Sequence, residues 1–152
     1  MSDPFAFTSS TPRHGLPNLF AAQAQKEFTV NEAFALLDAL LHIVVEGEAS
    51  VPPVTPSDGE CWIVGAEPSG DWAEQAGTIA CRQGGSWLFL TPVEGMTLFD
   101  KEAGGMARFA EGWHRATPVS VPDGGSTVDA EARAAIEDLI SEMVTLGILP
   151  LA

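Results

Sequence analysis

The sequence predicts an α+β protein, in which a long N-terminal helix and a C-terminal helix bundle, with a small antiparallel β module of five or six strands between them. Three observations carry that reading. Residues 29–45 (TVNEAFALLDALLHIVV) repeat apolar side chains at helical spacing. Residues 60–116 alternate apolar with polar and are punctuated by glycine. Residues 127–146 return to helical spacing. Helix, sheet, helix in that order favours segregated α and β parts.

Residues 1–17 hold Pro4, Pro12, Gly15 and Pro17 among small polar residues. They read as an extended arm that packing on a neighbouring subunit would order. Residues 18–46 form an oligomerising helical segment, with an Ala/Gln-rich lead (NLFAAQAQKE) before the main helix. Thr29 and Glu32 have the spacing of a capping box. Val30, Phe34, Leu37, Leu41 and Val44 make a heptad-like seam, the expected oligomer interface, and Ala33, Leu36, Leu40 and Ile43 widen it. Only Glu32, Asp38 and His42 interrupt the apolar surface. Such a helix must be covered. The same chain can cover it, and a bundle of copies covers it equally well.

Residues 47–59 (GEASVPPVTPSDG) are a Pro-rich linker that stops the helix. Residues 60–117 are a Trp-rich β module with strands near 60–64, 78–83, 86–91, 96–100, 106–110 and 112–116. Gly84-Gly85 is a strong two-residue hairpin signal. Residues 118–126 form a second linker. Residues 127–147 are the C-terminal helix, with Thr127 or Asp129 as cap, Leu139 and Leu146 on its apolar line, and Gly147 just past its end.

Composition limits function. The 152 residues allow one compact domain or two small modules. A formal charge of −14, from 7 basic and 21 acidic residues, argues against gripping nucleic acid or an anionic membrane. No apolar run has the length of a membrane span, and the first residues lack the basic and apolar regions of a signal peptide. Synthesis and folding in the cytoplasm is the expectation. Cys61 and Cys81 read as two reduced strand thiols, with a single bridge as the alternative.

The informative side chains are aromatic. Trp62, Trp72, Trp87 and Trp113 all lie in the β segment. Exposed indoles stack on the C–H faces of sugars, while neighbouring carboxylates and amides bond hydroxyls. Trp62 and Trp87 alternate with apolar strand neighbours and read as core. Trp72, in the loop GDWAEQAG, is the best candidate for an exposed ring. With Asp71, Glu74 and Trp113 it makes the candidate sugar face. Nothing points to catalysis: His14, His42 and His114 have no ligand spacing, and no GxSxG, P-loop or dinucleotide fingerprint is present. The expectation is a non-enzyme with no catalytic residue, no metal site and no cofactor.

The stretch GLPNLFAAQAQKEFTVNEAFALLDALL, followed by PPVTPSDGECWIVG, GDWAEQAGTIACRQGGSWLFLTPVEGM and FAEGWHRA, resembles an uncharacterised domain family of alphaproteobacterial prophages and gene transfer agents. The likeness covers residues 15–116. Trp62 stands where the family usually has Tyr, and Glu74 and Gln75 where Gly is common. Cys81 replaces an aromatic, and Asp100-Lys101 replaces a frequent Trp-Val pair. The resemblance implies a head-spike or tail-fibre component with host-surface polysaccharide attachment as its role, and it supplies no catalytic residue. Its implied setting is the virion or gene transfer agent particle. The implied partners are copies of the chain, as trimer or pentamer, other appendage or capsid proteins, and host polysaccharide. A stand-alone carbohydrate-binding module is the alternative, and a capsule-degrading enzyme the least favoured reading.

Overall fold

The structure, a computed structural model, describes residues 10–19, 26–126 and 128–150, without the side chains of 26–29. The body is β-rich: among the described residues there are eight strands in two four-stranded sheets, with one α-helix near the N-terminus and one near the C-terminus. This corrects the expected α+β bundle on three counts.

First, there is no long N-terminal helix among the described residues. Helix α1 spans Lys26–Leu40, so Thr29 lies inside it and is not its cap. Beyond Leu40 the chain turns, with His42 in the left-handed region at φ 47. The β-branched run Ile43-Val44-Val45 then follows strand preference, not helical periodicity. Second, the sheet has two further strands, β1 (Val44–Val45) and β2 (Glu48–Ala49), where the end of the helix and the linker were expected. Third, the two helices fall in different compact units and not in one bundle. The first unit comprises residues 1–43 and 48–92, the second residues 44–47 and 93–152.

In the first unit the sheet order is β2-β3-β4-β5, with β3 at Cys61–Val64, β4 at Ile79–Gln83 and β5 at Ser86–Leu90. Gly84 and Gly85, both at positive φ, make the turn that fixes Gln83 opposite Ser86 and Arg82 opposite Trp87. Alternation then sends Cys61, Ile63, Ile79, Cys81 and Leu90 to one face, all buried, and Trp62, Val64, Ala80, Arg82, Trp87 and Phe89 to the other.

The expected arm is, over its described residues, held by its own chain. Asp38 is buried on α1, and its carboxylate accepts from Thr11 Oγ1 at 2.7 Å, Arg13 N at 2.9 Å and His14 N at 2.6 Å. Arg13 reaches the other way. Its guanidinium donates to the Asp38, Ala39 and His42 carbonyls, satisfying acceptors that the end of α1 leaves open. Asn31 clamps Leu19 through both backbone groups.

In the second unit the order is β1-β6-β7-β8, with β6 at Thr97–Asp100, β7 at Gly105–Phe109 and β8 at Trp113–Arg115. Asp100 is buried and accepts from Arg115 Nε at 2.7 Å and Ala103 N at 3.0 Å. Helix α2, Ala130–Thr145, is capped by Asp129, whose side chain accepts from Ala132 N. Gly147 ends it at φ 69, with Ile148 N returning to Met143 O, and its carbonyl accepts from Met106 N of β7.

Candidate functional site

The most developed aromatic surface is the Trp-bearing face of the first sheet. The loop between β3 and β4 folds back over that face. Its ends are tied by Gly65 N to Ala49 O, Ser69 N to Ser50 O and Gly77 N to Val64 O. At its centre a short 3-10 turn, Gly70–Trp72, drives the Trp72 side chain onto the sheet. Trp72 is completely buried against Val64 and Ala80, flanked by Ala49, Trp62, Trp87 and Phe89.

The three indoles form one unit. Trp72 and Trp87 meet edge to face at 5.0 Å, Trp62 and Trp87 at 5.8 Å, and Trp62 and Trp72 lie tilted at 6.3 Å. These separations are those of favourable aromatic pairs. Trp62, Trp87 and Phe89 each keep part of their surface in solvent. The Arg82 guanidinium lies 5.1 Å from the Trp87 ring, a cation–π arrangement. Buried Trp72 Nε1 has no hydrogen-bond partner among the described residues. An indole N–H left in that condition costs about 1–3 kcal/mol unless water or a ligand meets it.

This placement corrects the sequence reading of the tryptophans. Trp72, the best candidate for an exposed ring, is the most buried of them, because the hydrogen-bonded loop turns it inward. Trp62 and Trp87, read as core, do pack on the buried cluster but keep part of their surface in solvent. Asp71 and Glu74 are exposed on the same loop as Trp72 and bracket it in sequence. Glu74 adopts φ 68, a conformation that favours glycine. Trp113 belongs to the second unit, where it packs edge to face on Phe109 at 5.3 Å. The expected face is therefore divided: Asp71, Trp72 and Glu74 share a loop, and Trp113 is part of another body.

Arg82 is a residue of this aromatic face that the sequence reading did not include. Its signal is local, since a two-residue turn at Gly84-Gly85 is enough to set Arg82 opposite Trp87.

Of the expected interface residues, Leu37 and Leu41 are exposed, as is their neighbour Leu40, while Val30 and Phe34 are half-buried. Val44 is a correction. It lies in β1, paired with Phe99 in the second unit, and so does not extend a helical seam.

Among the described residues no group of three or more His, Cys, Asp or Glu side chains is placed to hold a metal ion. No described helix is long and apolar enough to cross a membrane. What the tryptophan face can do chemically is bind: it offers ring faces and edges, one cation, and carboxylates on the adjoining loop. No curated protein and no solved structure matches the chain. The family DUF2793, proteins of unknown function, matches residues 30–114, which is more than half of the chain and includes both β3 to β5 and most of α1. The chain belongs to this family of uncharacterised function, DUF2793.

Proposed function

We propose that the protein is a non-catalytic structural component of a phage or gene transfer agent particle, a head-spike or tail-fibre base, and that its first unit contacts host-surface polysaccharide. One observation carries the binding half of this reading: Trp62 and Trp87 are half-exposed, meet each other edge to face, and both pack on the buried Trp72, Trp87 edge to face and Trp62 tilted. Rings locked by packing lose little entropy when a sugar stacks on them. Half-exposed indoles suit adhesion to sugar faces. The particle setting rests on the sequence resemblance described above. Exposed leucines on α1 and the acidic composition support an assembling, outward-facing component.

Each sugar contact would be weak, and several copies on one particle would supply avidity. The test is interferometry on a panel of immobilised bacterial surface polysaccharides, using the full-length protein. A Trp62→Ala/Trp87→Ala variant is expected to lose at least about fivefold in affinity while keeping its far-UV spectrum, since two lost stacking contacts are together worth about 1–3 kcal/mol. Trp72→Ala should instead destabilise the first unit by about 3–5 kcal/mol. Undiminished binding by the double variant, or no binding by the wild type to any polysaccharide, would sink the adhesion reading.

A further inference from the structure

The chain has two cysteines, and the fold places them directly opposite one another: Cys61 on β3 is the register partner of Cys81 on β4. The phase of the ladder matters here. Arg82 N donates to Glu60 O and Val64 N to Thr78 O, so the pairs at 60/82 and 64/78 lie in the hydrogen-bonded phase. In an antiparallel ladder that phase alternates, which leaves Cys61/Cys81 as a non-hydrogen-bonded pair. Cα atoms of such pairs stand about 4.5 Å apart with their side chains turned toward each other, within the roughly 4.4–6.8 Å a disulfide requires.

No disulfide joins the two cysteines, and both are buried. They also touch. Cys81 shares a side-chain hydrogen bond with Cys61, and that contact, followed by burial, raises its pKa well above the ordinary thiol range. Cys61 Sγ points a second weak bond at Gly59 O. Neither sulfur has another cysteine to choose, and neither reaches the surface to pair between chains.

We propose that Cys61 and Cys81 are a covalent modification site, closing as an intrachain cross-strand disulfide when the chain meets a small-molecule disulfide oxidant. Every bond in the exchange is accounted for. One thiolate attacks the oxidant and expels its first thiolate, leaving a mixed disulfide on the protein. The second cysteine thiolate attacks the protein sulfur of that intermediate and expels the other half. Two electrons pass to the oxidant, which leaves as two thiols carrying the two protons. Burial and the raised Cys81 pKa make the folded pair slow to react, because the thiolate is the nucleophile. Closure is therefore fastest when the strands open or while the chain folds. The bridge would tie together the two ends of residues 62–80, the segment that carries Trp72 over the sheet.

The test uses the full-length chain with oxidised glutathione as the probe, in two arms: incubation of the native protein, and refolding from denaturant in the same buffer. Intact mass should show loss of two hydrogens without a glutathione adduct, slowly in the first arm and readily in the second. The bridged, monomer-sized chain should melt about 5–10 °C higher than the reduced one in the transition that includes the first unit. Cys61→Ser, with no partner for Cys81, should give a persistent glutathione adduct on refolding. Two free thiols or two adducts on folded wild-type chain after the refolding arm would overturn the proposal. So would a bridged chain that melts below the reduced one.

Discussion

Asp38 is an acidic residue buried in the last turn of α1, and its cost is met by three short donors from a single segment of chain. Thr11 contributes a hydroxyl, and Arg13 and His14 contribute backbone N–H groups. Both amides belong to a tight turn closed by Gly15 N to Thr11 O. Removing the carboxylate strands all three donors at once, whereas removing the Thr11 hydroxyl leaves both Asp38 oxygens with a donor, His14 N and Arg13 N, and strands only Leu16 N. Asp38→Ala should therefore cost about 3–5 kcal/mol, the range for losing one side of a buried charged network. Thr11→Ala should cost about 1–2 kcal/mol. Urea titration of the two variants measures both, and equal midpoints would show that the turn is not anchored through Asp38. None of this was legible in the sequence beyond the fact that Asp38 interrupts the apolar face. A polar residue in such a position signals a partner, but the partner sits 24–27 residues away and no local pattern names it.

The elements divide by how much of them is local. Alternation located the strands that became β3 to β8 to within a residue or two, because each is long enough to repeat its period and is bounded by glycine or a turn. Strands β1 and β2 have two residues each, too short for any period, and exist through parallel pairing with β6 and β3. The helix was overextended for a related reason: a continuous apolar run reads the same in a helix and in a buried strand. Trp72 was misplaced because GDWAEQAG is polar in composition, while its burial depends on backbone bonds to Ala49, Ser50 and Val64 that come from elsewhere. Helix α2 is the opposite case, fully marked in sequence by Asp129 and Gly147, yet with no buried residue along its sixteen. A helix of that length held by its caps and by the segment after it should open easily. Native-state amide exchange is expected to be at least about a hundredfold slower in β4 than in the middle of α2. Comparable protection would mean that α2 is covered in solution, and the surface that covers it would then need to be found.

Taken whole, the molecule sets an apolar surface against a large like charge. Leu37 and Leu40 on α1 and Leu41 just past it stay 42–48% exposed, and the chain carries −14. Copies that meet through those leucines gain burial, roughly 25 cal/mol for each Å² of apolar area removed from water. They also bring equal acidic charges together, a repulsion that salt screens within about 10 Å at 0.1 M. The two effects have opposite signatures, so assembly through α1 should strengthen as ionic strength rises, whereas assembly held by ion pairs would weaken. Light scattering after size exclusion, at low and at moderate salt, separates them. Leu37→Asp adds a charge to the proposed contact without touching a buried position, so it should reduce the mass to that of the 16.0 kDa monomer and leave the melting of the isolated chain unchanged. If the variant keeps the wild-type mass, α1 is not the assembly surface, whatever the wild type forms. If wild type and variant are both monomers at every salt concentration, self-assembly through α1 fails as part of the proposed function, and the tryptophan face must bind as a single copy or on a carrier of another kind.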